Sequence, residues 1–208
     1  WRSTSTSEAM GRTTPSPSPP SLPAPASLSG NSAGAGAPAG ATGLEIEIEG
    51  AANGTVSIDL FEDVAPKHVA QITELAAAGA YDGVVFHRVI DGFMAQTGDV
   101  QFGNSQADGF SMQMAGRGGS DKPDLPAEFS DLAFERGVVG MARSQSPNSA
   151  NSQFFIMFEP GYFLNGQYTV VGEVTEGMEV VDAIHRGTGP NGAVVGAPDL
   201  MKTVTVTE

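Results

Sequence analysis

The chain has no cysteine, so disulfide bridges and thiolate metal sites are excluded, while the redox compartment stays open. Histidine is also scarce: His68, His87 and His185 stand far apart without metal-ligand spacing, and neither a metal nor a cofactor is expected. Basic side chains are few, ten Lys and Arg against 24 Asp and Glu, for a formal net charge of −14. Arg2, Arg12 and Glu8 leave the first 43 residues at +1, so the remainder carries −15. Such a surface repels phosphate backbones, and a single Gly116-Arg117-Gly118-Gly119 stretch does not offset it, so nucleic acid is not an expected partner. No apolar run approaches the ~20 residues of a membrane span, so the chain is expected to be soluble with no membrane partner. No Gly-x-Ser-x-Gly elbow occurs and no histidine lies in a triad motif, which sets serine hydrolases aside.

What is abundant divides the chain in two. Residues 1–43 draw 35 members from Pro, Gly, Ser, Ala and Thr, with Trp1, Met10, Leu22 and Leu28 as the larger apolar side chains. That composition cannot offset the entropy of ordering, so a disordered leader or linker is expected there. It has no uninterrupted apolar segment of the kind a secretory signal needs. Ala37-Pro38-Ala39-Gly40-Ala41 is similar to a small-residue cleavage region, which favours an exported or periplasmic location over the cytoplasm. Opening on Trp rather than Met, the chain reads as a fragment, a processed product or a misplaced gene start.

Residues 44–208 carry the patterning of one folded domain. Leu44, Ile46 and Ile48 alternate with Glu45, Glu47 and Glu49, predicting a half-buried strand, and Asn53-Gly54 predicts a hairpin turn into Val56, Ile58 and Leu60. Pro66 suits a first helical turn; Val69, Ile72 and Leu75 or Ala76 supply one apolar stripe, and Gly79 ends the helix. Residues 98–126 read as a long ordered loop. Further strands are predicted over 137–141, 152–158 and 168–174, a helix over 177–184 with Met178, Val181 and Ile184 inward, and a closing edge strand over 203–207. Within 152–158, Gln153, Phe155 and Met157 share one face and Phe154, Ile156 and Phe158 the other. Many strands with two helices indicate a mainly β, antiparallel closed barrel.

Tyr81 to Asp99, YDGVVFHRVIDGFMAQTGD, concentrates the polar chemistry. Strand alternation puts Phe86, Arg88 and Ile90 on one side of a first run and Met94 and Gln96 on one side of a second, with Asp91-Gly92 as the turn. A cation and an amide beside Phe93 and Met94 suit a grip on an uncharged ligand segment; the same letters also fit a hairpin with a solvated Arg and Gln.

The stretch FHRVIDGFMAQTGD, followed by GVVGMARSQSPNSANSQFFI at 137–156 and FLNGQYTVVGEVTEGMEVVDAI at 163–184, resembles the cyclophilin-type peptidyl-prolyl cis-trans isomerases. The resemblance covers most of residues 44–208. It implies a closed eight-stranded antiparallel barrel capped by two helices, and an isomerase that accelerates X-Pro bond rotation in unfolded or flexible segments and so assists folding. Its expected partners are proline-containing peptides and unfolded proteins, and it is expected to be a monomer. The catalytic set carried over is Arg88, Phe93 and Gln96. The substrate-binding set is His87, Met94, Ala142, Arg143, Gln153, Phe155, Phe163, Leu164 and Tyr168. Phe93, Met94, Phe155 and Leu164 would hold the proline ring, Gln96 would orient the guanidinium with Gln153 behind it, and backbone groups at Ala142 and Arg143 would pair with the peptide. Phe163 and Tyr168 replace the tryptophan and histidine of many eukaryotic members, and the segment between Met141 and Gln153 is one residue longer. These departures resemble the bacterial branch and imply weak cyclosporin binding. A non-catalytic proline-peptide module or holdase is the alternative.

Overall fold

The structure, a computed structural model, describes residues 42–208. The expected leader therefore lies outside the described residues except for Thr42 and Gly43, and Gly43 already belongs to the first strand. Strands β1 (Gly43–Glu49) and β2 (Gly54–Leu60) form the expected hairpin, with Leu44, Ile46 and Ile48 buried and Glu45, Glu47 and Glu49 exposed. Helix α1 (Pro66–Ala77) follows, burying Val69, Ile72, Leu75 and Ala76, and Gly79 takes the left-handed conformation just past its end. His68 and Gln71 of the same helix are also buried, which an apolar stripe does not announce. Glu128 satisfies the helix start, accepting from the Lys67 and His68 backbone N–H groups at 3.1 Å and contacting His68 Nδ1 at 2.5 Å.

Seven more strands complete one sheet: β3 (Val84–Val85), β4 (Arg88–Ile90), β5 (Met94–Thr97), β6 (Val138–Met141), β7 (Phe154–Met157), β8 (Val170–Glu176) and β9 (Leu200–Thr207). A short helix α2 (Met178–Asp182) packs against β2, with Val181 and Ile184 buried and Met178 half-buried against the core. The strand order is β3-β9-β1-β2-β8-β6-β7-β5-β4. This is a nine-stranded curled half-barrel rather than the closed eight-stranded barrel expected. No ladder joins its end strands among the described residues, although β3 and β4 are consecutive in the chain.

The reason is that loops take the backbone groups that would close it. Val85 N–H donates to Gly103 O at 2.9 Å, Val84 bridges Asn104 and Arg88 bridges Ala193. Two expectations fail with it. The 81–90 run breaks at Phe86, so Phe86 turns into the core while Arg88 and Ile90 face outward. The C-terminal strand lies between β3 and β1, inside the sheet instead of at its edge.

Strand β7 divides its side chains as its alternation predicts. Phe154 and Ile156, with Phe158 just beyond, join the main core, whereas Phe155 and Met157 join a second cluster outside the sheet with Met94, Phe134 and Leu164. Among the described residues no helix is long and apolar enough to cross a membrane.

Candidate active site

The outer cluster is the floor of a groove, and ladder register sets out its polar row. Arg88 of β4 lies directly opposite Gln96 of β5, Gln96 opposite Phe155 of β7, and Phe155 opposite Gly140 of β6. Residues opposite each other share a face, so guanidinium, amide and phenyl ring stand side by side. Gly140 makes room for the ring: a Cβ there would come within 2.6 Å of both Phe134 and Phe155. The next row brings Ile90, Met94 and Met157 together. The Asp91-Gly92 turn joins β4 to β5, with Gly92 at φ 72° and the Phe93 N–H donating to Ile90 O at 3.0 Å.

The far wall comes from a 3-10 turn, Tyr162–Leu164, which buries Leu164 and leaves Phe163 72% exposed. The Phe163 ring meets Phe93 at 5.4 Å, and the Tyr168 ring meets Phe155 edge-on at 5.9 Å. Arg143 lies over the Tyr168 ring at 4.5 Å and donates to Gln167 O through Nε and Nη2. The hollow measures about 250 Å³. Ten of the twelve residues expected from sequence line it: Arg88, Phe93, Met94, Gln96, Ala142, Arg143, Phe155, Phe163, Leu164 and Tyr168.

Gln153 is not on that wall but stands behind it. Its Nε2 donates to Gly116 O at 3.0 Å and to Gly118 O at 2.9 Å, while its Oε1 accepts from Gln96 Nε2 at 3.0 Å. Gln96 Oε1 accepts in turn from Arg88 Nη1 at 3.1 Å. Two backbone carbonyls thus fix which way both amides point. Arg88 Nε donates to Asn191 O at 2.8 Å, and Nη2 has no hydrogen-bond partner among the described residues. A guanidinium held at two corners presents its remaining donors in one direction.

His87 does not reach this hollow. It is 7% exposed and lines a neighbouring one, with Nδ1 unpartnered among the described residues. Burial pushes its pKa down to about 4, against the Asp99 carboxylate and with the aid of Arg88.

Two supporting groups escaped the sequence reading. Asn191 holds Arg88 from 103 residues away; Pro190-Asn191-Gly192 has turn chemistry, but nothing local ties it to an arginine. Asp99 is fully buried and organises the long loop, accepting from Gln101 and Phe102 N–H through Oδ1 and from Gly116 and Gly118 N–H through Oδ2. Its Oδ1 bonds have the spacing of an Asx turn, whereas the other two reach 17 and 19 residues along the chain.

Comparison with known proteins gives this geometry its context. The family model described as cyclophilin type peptidyl-prolyl cis-trans isomerase/CLD matches residues 44–206. A probable peptidyl-prolyl cis-trans isomerase of Brucella suis biovar 1 is 60% identical over 154 residues, which are 74% of this chain and 78% of that protein. Peptidyl-prolyl cis-trans isomerase B of Escherichia coli K12 is 34% identical over 168 residues, 75% of this chain and 96% of that one. Among solved structures, a cyclophilin from Hirschia baltica superposes with a TM-score of 0.62 at 26% identity, covering 78% of this chain and 73% of that chain. A cyclophilin type isomerase of Cryptosporidium parvum, crystallised in the presence of the dipeptide Ala-Pro, gives 0.65 at 25% identity, covering 80% and 99%. By its sequence from 44 to 206 and by its fold, the chain belongs to the cyclophilin-type peptidyl-prolyl cis-trans isomerase family, whose reaction is rotation about X-Pro peptide bonds.

Proposed function

We propose that this isomerase works by aiming the Arg88 guanidinium at the prolyl nitrogen while the ring of the substrate proline occupies the hollow of Phe93, Met94, Phe155 and Leu164. The barrier to be lowered is amide resonance, roughly 18 to 20 kcal/mol, and no nucleophile is needed. In the twisted state the prolyl nitrogen recovers its lone pair and becomes a hydrogen-bond acceptor, which it is not in either planar state. A donor directed there therefore binds the transition state more strongly than the ground states. The observation that carries this reading is the two-point anchoring of Arg88, Nε on Asn191 O and Nη1 on Gln96 Oε1, beside the apolar side chains of Phe93, Met94, Phe155 and Leu164 that line the hollow.

Holding the ring fixes one side of the bond so that the residue before proline turns. Main-chain groups at Ala142 and Arg143, on the same wall, would pair with the extended peptide. Substrates of this kind are proline-containing peptides and unfolded chains, in keeping with a relative studied with Ala-Pro. Phe163 offers no indole N–H, which supports weak cyclosporin binding. The small-residue stretch Ala37–Ala41 supports an exported or periplasmic location.

The test is NMR exchange on an Ala-Pro peptide with the full chain and with Arg88→Lys. Lysine keeps the charge and loses the fork, so kcat/KM should fall about a hundredfold, the scale of one missing transition-state donor. A variant within twofold of the parent would remove Arg88 from the role. Peptide binding without any acceleration by the parent chain would indicate a proline-binding module instead.

A further inference from the structure

The ring hollow adjoins two others, one of about 440 Å³ and one of about 330 Å³, and Gln96 lines all three. An arginine stands on each dividing wall. Arg143 is shared by the ring hollow and the larger one, Arg88 by the ring hollow and the smaller one, and Arg117 by the two outer hollows.

Elsewhere, four of the five described cations are spent on carboxylates: Lys122 pairs with Glu74, Arg136 with Asp182, Arg186 with Asp91, and Lys202 with Glu47 and Glu49, while Lys67 has no such pair among the described residues. None of the three groove arginines has a carboxylate partner among the described residues. Arg143 donates to the carbonyls of Ser144, Gln145 and Gln167, and Arg88 to Asn191 O and Gln96, so their positions are fixed and their charges uncompensated. The Arg117 guanidinium is exposed and has no hydrogen bond among the described residues. One carboxylate faces them, Asp124 on the larger hollow, where Oδ1 accepts from Asn151 Nδ2 at 3.0 Å. The smaller hollow has none, and its His87 is neutral at pH 7. Three guanidiniums against one carboxylate is the reverse of the −14 balance of the whole chain.

We propose that the groove selects X-Pro segments with an aspartate or glutamate beside the proline, the carboxylate being taken by Arg117 together with Arg143 or Arg88 on the adjoining wall. This rests on the isomerase reading of the same groove and adds a substrate class to it. The acidic exterior does not prevent such selection. At physiological ionic strength charges farther than about 8 Å are largely screened, whereas a guanidinium on the wall acts at contact. Arg117, with its fork unoccupied, can meet a carboxylate through two parallel hydrogen bonds.

The experiment compares kcat/KM, from NMR exchange with the full chain, for Ala-Ala-Pro-Ala peptides carrying Glu, Gln or Lys at each position flanking the proline in turn. At one or more positions Glu should exceed Gln by about threefold to fivefold, the scale of an exposed ion pair, and Lys by more. Arg117→Gln should cancel most of that ratio, and Arg117→Glu should invert it. Glu, Gln and Lys peptides within twofold of one another at every position, or a Glu preference unchanged in Arg117→Glu, would overturn the proposal. The Gln peptides separate the two readings, since their acceleration depends on the isomerase and not on charge selection. Should they show none, dissociation constants for the Glu and Lys peptides from shift titration decide the selection on their own.

Discussion

Gln153 touches no part of the ring hollow, yet its replacement by leucine should slow the reaction. Leucine approximates the shape and removes every hydrogen bond. Lost are the donations to Gly116 O and Gly118 O and the acceptance from Gln96 Nε2. The two carbonyls border the open 440 Å³ hollow, where water can replace the amide, so the stability cost should be only about 1 kcal/mol. Gln96 suffers more, because the bond that kept its oxygen toward Arg88 is gone. Turned over, its amide presents a donor to Arg88 Nη1 in place of an acceptor, and the guanidinium loses one of its two anchors. One neutral hydrogen bond is about 1 kcal/mol and tenfold in rate is about 1.4 kcal/mol, so a fivefold to tenfold fall is expected. The fall should appear in kcat, since Phe93, Met94, Phe155 and Leu164 still receive the ring and KM rests on them. NMR exchange on an Ala-Pro peptide over a range of concentrations separates the two constants, and the Arg88 Nε–H resonance should broaden or shift. A folded Gln153→Leu with kcat above half that of the parent, or with its whole loss in KM, would refute the relay.

Three further outcomes are expected. Phe163→Trp restores an indole N–H on the outer wall, so cyclosporin titration should give about tenfold tighter inhibition with little change in turnover; equal inhibition would clear Phe163 of the role. Glu128→Ala strips two N–H groups of α1 and the buried His68 ring of their acceptor, a loss of about 2 to 4 kcal/mol, so calorimetry should show Tm lowered by roughly 5 to 15 °C, and an unchanged Tm would contradict the cap. His87 is held at about 4 in the folded chain against its ordinary 6.5, so its contribution is complete above pH 6.5 and is lost as pH falls toward 4, by on the order of 3 kcal/mol; urea unfolding of His87→Gln should lose less stability than the parent across that window, and parallel profiles would contradict the assignment.

Most of the elements were legible in the sequence because their determinants are local. Leu44, Ile46 and Ile48 report a half-buried strand within seven residues, Asn53-Gly54 reports its turn, and the two faces of β7 follow from alternation alone. The resemblance then assigned the groove residues, and ten of those twelve surround one hollow. What escaped depends on partners far along the chain. The free edge of β3 is taken by Gly103 O, which accepts from Val85 N–H, and the interior place of β9 comes from its pairing with β3 and β1. His68 was passed over because periodicity counts apolar side chains and is blind to a buried ring whose partner, Glu128, lies 60 residues on.

The open seam of the half-barrel and the placing of Arg88 have one cause. Arg88 begins an end strand, and beyond it lies the turn Pro190–Gly192 in place of a further strand. A strand there would have aimed its carbonyls along the sheet toward neighbouring N–H groups, leaving none to rise above the sheet and meet a side chain. The turn does the opposite. Asn191 adopts φ 57°, the one positive value outside glycine among the described residues, and its carbonyl reaches Arg88 Nε at 2.8 Å. Asparagine tolerates that conformation better than most residues, so the strain is small. A closed ladder at this seam would leave the guanidinium anchored by Gln96 alone. On the proposed role of Arg88, isomerisation needs a donor whose direction is fixed before the bond twists, and the turn that interrupts the sheet supplies its second anchor.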